Sequence, residues 1–173
     1  QCKIFLRDRY KRLVADIRRE LPEAVLRTTF LTGFPGETAE AAAHTVEFLK
    51  AIKSNWSGCF PYSREEDTAA YNMKGRVSAK TAQKRAEELV SVQEELTRKS
   101  LSGWVGKEID VLIEEIVSGE DGLAIGRAWF QAPDVDGSVV VRYEKDDFVQ
   151  ESAVRTGRFV RVKVVASSDV DLD

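Results

Sequence analysis

Cysteine, histidine and long apolar runs are scarce in this 173-residue chain. Two cysteines, Cys2 and Cys59, are too few and too far apart for a disulfide framework or a metal knuckle. A reducing cytoplasm is the expected setting. The one histidine, His44, lies in an alanine-rich stretch with no second histidine or thiolate at ligand spacing, which argues against a metal role. No apolar run approaches the roughly 20 residues of a membrane helix, so no membrane partner is expected. The opening QCKIFLRDRY has neither the apolar core of an export signal nor an initiator methionine. The expectation is a piece of a longer protein.

What is present is globular in character, with 43% hydrophobic and 32% charged residues. The net charge of −3 is unevenly spread. From Trp104 to Asp173 there are 15 acidic and 8 basic residues, a balance of −7; the first 103 residues stand at +4. That asymmetry suggests two domains with different partners.

Tyr10, Leu13, Val14, Ile17 and Leu21 recur at helical spacing, with Asp8 as N-cap and Pro22 as the stop. Ala24 to Phe34 reads as a buried strand. Thr38 caps a second helix reaching about Lys53, a short strand covers Ser57 to Tyr62, and a long helix runs from about Ser78 to Leu101. This order suits a parallel α/β sheet or barrel. After Trp104, KEIDVLIEEI, GLAIGRAW, SVVVRY and RFVRVKVVA are short β runs separated by glycine or acidic turns. The fold class expected is therefore α/β followed by all-β. Residues 1–103 form a partial parallel βα barrel, because a complete one takes about 250 residues. Residues 104–173 form a small antiparallel β-barrel.

In RTTFLTGFPGET, residues 27–38, a strand hands over to a helix through two glycines and a proline. In parallel α/β folds ligands bind at the carboxyl ends of strands. Glycines there allow the backbone to approach a ligand closely, and proline stiffens the turn. An ordinary βα turn is the plainer alternative.

RTTFLTGFPGET together with YSREEDTAAY at residues 62–71 resembles the later barrel strands of radical S-adenosylmethionine methylthiotransferases. GRAWFQAPDVDG at residues 126–137 resembles the C-terminal, OB-like TRAM domain of the RimO branch. That branch methylthiolates the β-carbon of an aspartate on small-subunit ribosomal protein S-twelve. The resemblance runs from about Tyr10 to Val165. It implies that the first half is the C-terminal part of a radical S-adenosylmethionine barrel. It implies, as a cofactor neighbourhood, Thr28, Gly33, Phe34, Pro35, Gly36, Glu37, Tyr62, Ser63 and Arg64. It also implies two 4Fe-4S clusters held by a CxxxCxxC motif and three further cysteines. Cys2 and Cys59 supply neither set, so this chain alone is expected to be inactive, with no catalytic and no metal-ligating residue of its own. Asp67 stands where the family usually has glycine, and Thr32 where it usually has a branched aliphatic residue.

Three functions are in play. The first is a fragment of a RimO-type enzyme acting on ribosomal protein S-twelve, for which Gln131, Asp134 and Asp136 are the substrate-binding candidates. The second is a tRNA methylthiotransferase of the same family, and the third a free-standing TRAM-type nucleic-acid-binding module. RNA binding draws on cations meeting phosphates, and a balance of −7 works against it. An acidic domain suits a basic protein. Glu65, Glu66 and Asp67 read as a solvated loop, and Lys80, Lys84, Arg85, Arg98 and Lys99 as a solvated helix surface. Trp129 and Phe130, being adjacent, are expected on opposite sides of a strand.

Overall fold

The structure is a computed structural model that describes residues 2–120, 122–144 and 146–173. The chain divides into two compact units, residues 1–96 and 97–173.

In the first unit, helix α1 (Cys2–Glu20) precedes strand β1 (Arg27–Thr32), helix α2 (Ala39–Ile52), strand β2 (Trp56–Pro61) and helix α3 (Ala79–Ser102), whose last turns belong to the second unit. A single 3-10 turn, Ala69–Asn72, interrupts the loop before α3. α1 begins well ahead of Asp8, which sits inside the helix and not at its cap. The residues before it, KIFLR, contain no breaker to stop the helix earlier. The helix ends just before the expected Pro22. Tyr10, Leu13 and Leu21, expected to face inward, are half or more exposed, whereas Val14 packs on the core. The apolar stripe is thus wider than the face that α2 and β1 cover.

β1 and β2 pair in parallel, Arg27 with Trp56 through Thr32 with Pro61. β1 is shorter than the Ala24–Phe34 run because a turn closes Ala24 onto Leu21 and Gly33 turns the chain away. Thr38 caps α2 as its sequence suggests, its hydroxyl accepting from the Ala41 N–H, and Lys53 closes the helix in a left-handed conformation. Ser78 likewise accepts from the Thr81 N–H at the start of α3. Phe30, Leu49, Ile52 and Leu89 are buried together, joining β1, α2 and α3 into one core. Burying each such side chain contributes about 1.5–3 kcal/mol.

The second unit holds strands β3 (Glu108–Ile116), β4 (Leu123–Ala128), β5 (Val139–Arg142) and β6 (Phe159–Lys163), with a short helix α4 (Phe148–Ala153) between the last two. The antiparallel sheet has the order β5-β4-β3-β6 and curls into a half-barrel, the expected all-β second half. Alternation does the work: Ile109, Val111 and Ile113 of β3 and Ala124 and Ala128 of β4 are buried while their neighbours in sequence are not. The register shifts between Ile113 and Glu115, a bulge that adds bend to the long strand. Leu172 returns beside Val139 and seals one end. Trp129 and Phe130 follow β4 in a turn and not in a strand. Phe130 is buried and stacks on Trp104 at 4.7 Å, while Trp129 is 57% exposed.

Candidate functional site

Gly33 to Glu37 stand at the carboxyl end of β1, and Tyr62 stands beside them at the end of β2, its N–H donating to the Thr32 carbonyl at 2.7 Å. The turn is built largely from backbone. Gly33 has φ 76°, the left-handed region, and a Cβ there would collide with that of Ala82 on α3. Glycine is required on both counts. Thr32, buried beneath it, donates its hydroxyl to the Ala82 carbonyl at 2.9 Å, a bond that an aliphatic residue would lack. Pro35 is buried, Gly36 is exposed, and the Gly36 N–H donates to the Gly75 carbonyl at 2.8 Å.

Two aromatics border the turn. Phe34 and Tyr62 meet edge to face with centroids 5.3 Å apart, and Phe34 stays 38% exposed. The Tyr62 hydroxyl is buried and has no hydrogen-bond partner among the described residues. A buried unpaired hydroxyl costs about 1–3 kcal/mol, which makes it a point where a polar ligand atom would be welcome.

Glu37 points inward. Its Oε2 accepts from the Gly33 N–H at 2.6 Å and from Arg85 Nη1 on α3 at 2.6 Å, and Arg85 also donates to the Glu37 carbonyl at 3.3 Å. The two side chains are only 12% and 16% exposed. Removing one partner from such a pair costs about 3–5 kcal/mol, because the other charge is left buried. Its sequence setting places Arg85 among the solvated cations of α3, and the structure instead pairs it with Glu37. Its one sequence signal was position: it falls next to Ala82, Ala86 and Leu89, on the inward stripe of the helix.

The remaining cofactor candidates are Thr28, Ser63 and Arg64. Thr28 sits near the opposite end of β1, about 16 Å along the strand from Gly33. Its hydroxyl joins those of Ser57 (2.7 Å) and Ser54 (3.2 Å), a cluster fastened to α3 through Gln93. Ser63 and Arg64 are exposed in the loop after β2. Ser63 donates to Glu65, and Arg64 lies over the Tyr71 ring at 3.5 Å while donating to the Tyr71 carbonyl. In the same loop Asp67 has φ 61°, the conformation that glycine adopts most cheaply.

The substrate candidates separate in a similar way. Gln131 is 4% exposed: its Oε1 accepts from the Ala128 N–H at 2.9 Å, and its Nε2 donates to the Gly137 carbonyl at 2.6 Å. Asp136 accepts from the Ala132 N–H at 2.7 Å. Asp134, with φ 59°, is exposed between Pro133 and Val135, and Val135 is 73% exposed. Gln131 and Asp136 hold the loop from within, and Asp134 and Val135 are what it displays.

Among the described residues no group of three His, Cys, Asp or Glu side chains is placed to hold a metal ion. Cys59 is half-buried in β2, where burial pushes its thiol pKa up. A cavity of about 460 Å³ opens beside β1, lined by Tyr10, Phe30, Phe34, His44 and Phe48 among others. β1 pairs with β2 alone among the described strands.

Comparison with known proteins now adds to the geometry. Residues 105–173 match the TRAM domain family. Over 155 residues the chain is 47% identical to the ribosomal protein uS12 methylthiotransferase RimO of Treponema denticola, a match covering 87% of this chain and 33% of that protein. It is 39% identical over 160 residues to the RimO of Natranaerobius thermophilus, covering 92% and 34%. With the RimO of Fervidobacterium nodosum the identity is 42% over 157 residues, covering 91% and 33%. The chain spans about a third of the length of the curated relatives it matches.

Proposed function

From the premise that this chain belongs with the RimO-type methylthiotransferases, we infer that it is the C-terminal portion of an enzyme that methylthiolates an aspartate of ribosomal protein uS12. The observation that carries the reading is similarity to RimO proteins across both units at once, at 47% identity in one case. The first unit then completes a parallel barrel whose other strands lie outside this chain. The open edge of β1 and the cavity beside it are consistent with a further strand there. A cytoplasmic setting, where ribosomal proteins are made, goes with this function.

The family's two groups of cofactors fare differently against the residues present. An iron–sulfur cluster needs several thiolates converging in space. Cys59, half-buried and packed against the core of the first unit, offers none of that, so no cluster is assigned to this chain. S-adenosylmethionine fits better. The exposed Gly36, the edge of Phe34 and the unpartnered Tyr62 hydroxyl present backbone, aromatic surface and a hydrogen-bonding group at one strand end. When bound, S-adenosylmethionine would supply the radical and methyl-transfer chemistry of the family. This chain's share is to orient the cofactor with Gly33–Glu37 and Tyr62 and to keep water from one side of it. Glu37 contributes through the backbone it holds, Thr28 lies farther down β1, and Ser63 and Arg64 follow Tyr62 in the exposed loop.

The second unit would hold the substrate. Its net charge favours a basic protein over a phosphate backbone. Asp134 is the carboxylate offered, while Gln131 and Asp136 keep the loop in shape. The test uses the full-length protein, purified without oxygen and reconstituted with iron and sulfide. With S-adenosylmethionine and a reductant it should add a methylthio group to uS12, read by peptide mass spectrometry. Methylthiolation of tRNA with uS12 untouched would move the chain to the other branch of the family.

A further inference from the structure

We propose that Arg85 is a positioning residue for the cofactor-side turn: through Glu37 it holds the Gly33 amide, and with it the path of the backbone from Gly33 to Gly36. The proposal rests on the reading that this turn borders S-adenosylmethionine. The argument begins with what Glu37 is not doing. A carboxylate at the end of a ligand-side turn has an obvious use as a ligand group, yet the Glu37 side chain is 12% exposed and its Oε2 is engaged twice, by the Gly33 N–H and by Arg85. Its bond to Gly33 spans four residues and closes the turn upon itself.

That closure would not hold without a cation. A carboxylate so far out of water demands compensation, and Arg85 supplies it at 2.6 Å while also binding the Glu37 main-chain carbonyl at 3.3 Å. Arg85 thereby grips both the side chain and the backbone of the last turn residue. The base it acts from is fixed: one helical turn earlier on α3, Ala82 packs against Gly33 and accepts the Thr32 hydroxyl. On the far side, the Gly36 N–H is held by the Gly75 carbonyl. The turn is therefore tied on both flanks, and the Arg85–Glu37 pair is the tie that involves charge. Both bonds leave the one Nη1, so a lysine in place of Arg85 would keep the charge but would have to reach the same two oxygens from a shorter side chain.

Binding to a preorganised turn avoids the cost of ordering it. Loosening the turn should therefore appear as weaker cofactor binding beyond any general loss of stability. The experiment uses the reconstituted full-length protein and equilibrium dialysis with radiolabelled S-adenosylmethionine, alongside thermal unfolding. Arg85→Met and Glu37→Gln should each weaken binding by about tenfold or more, with Arg85→Lys between them and the unaltered protein. Ile52→Ala is the control, since Ile52 lies in the same core at the last residue of α2, the end of that helix far from the turn. It should lower the melting temperature comparably and leave the affinity alone. Unchanged affinity in Arg85→Met, or in Arg85→Lys and Glu37→Gln should Arg85→Met not fold, overturns the proposal. So does an equal loss of affinity in Ile52→Ala, which would make the effect one of stability only. Hydrogen exchange of residues 33–38 in the unaltered protein, with and without S-adenosylmethionine, separates the premise from the proposal. No added protection there means that the turn does not border the cofactor; protection with an indifferent Arg85→Met means that the turn does and Arg85 is not its positioner.

Discussion

Replacing Gln131 with alanine should destabilise the second unit, and not merely weaken its binding of a partner. The side chain satisfies two backbone groups, the Ala128 N–H and the Gly137 carbonyl, from a position only 4% exposed. Alanine leaves both unpaired. At about 1–3 kcal/mol for each orphaned group, the loss is roughly 2–6 kcal/mol. For a domain of this size each kcal/mol moves the melting temperature by about 4–8 °C, so a drop of about 8 °C or more is expected. Trp104 and Trp129 lie in this unit and Trp56 in the other. Thermal unfolding followed by tryptophan fluorescence in a Trp56→Phe background therefore reports on the right half. Gln131→Glu sharpens the test, because it keeps the acceptor for Ala128 but turns a carboxylate oxygen toward the Gly137 carbonyl. It should be at least as damaging as alanine. Asp134→Asn, at an exposed left-handed position that asparagine tolerates, should melt like the unaltered chain. A Gln131→Ala protein melting within about 3 °C of the original would refute the brace and return Gln131 to the partner-contacting surface.

Three other consequences are open to measurement. Lys53→Gly should raise stability by about 1 kcal/mol in chemical denaturation, since Lys53 closes α2 at φ 48°, where a side chain is penalised and glycine is not. The Asp147 carboxyl is held below its ordinary pKa by hydrogen bonds from the Gln150 and Val149 backbone amides at the start of α4. A depressed folded-state pKa contributes stability above the unfolded value and loses it as pH falls through the folded one, so the amide signals of both residues should shift below about pH 4, and Asp147→Ala should abolish that shift. Burial raises the Cys59 thiol pKa, so at mildly alkaline pH iodoacetamide should label Cys59 more slowly in the folded chain than after unfolding, as read by mass spectrometry of its peptide.

Local chemistry made much of this fold legible. Thr38 and Ser78 announce two helix starts through side chains that accept from the backbone three residues on, and both caps form. The short Val- and Ile-rich runs after Trp104 become an antiparallel sheet because alternation decides which face is buried. Long-range pairing was not legible. Glu37 and Arg85 are 48 residues apart, and nothing local distinguishes Arg85 from the solvated cations around it except its place on the apolar stripe. The start of α1 is hidden for a related reason: Asp8 is a good cap, but a cap acts only where the chain ahead of it leaves the helix, and KIFLR does not. Thr28 and Gly33 share one strand in the sequence, but the strand's rise separates them by about 16 Å, so they do not share a neighbourhood.

The two stretches that carry the resemblance turn out to share a physical character. In GFPGET, Gly33 occupies a left-handed position pressed against Ala82, Pro35 is buried, and Glu37 ties back to the Gly33 amide. In QAPDVDG, Gln131 and Asp136 bind backbone groups of their own loop, Asp134 is left-handed, and a Cβ on Gly137 would strike the Val170 carbonyl. Most residues of both stretches are thus occupied in fixing a backbone path, and few side chains are left over to touch anything else. Such stretches identify a fold variant well, since each residue is demanded by a conformation or a close contact that few others satisfy. They identify a ligand poorly, because what the ligand meets is the displayed remainder: Phe34, Gly36 and Tyr62 in one unit, Asp134 and Val135 in the other, with Trp129 exposed nearby in sequence. Substitutions inside the two stretches should therefore act mainly through stability or the shape of the turn, and changes of specificity should come from that remainder.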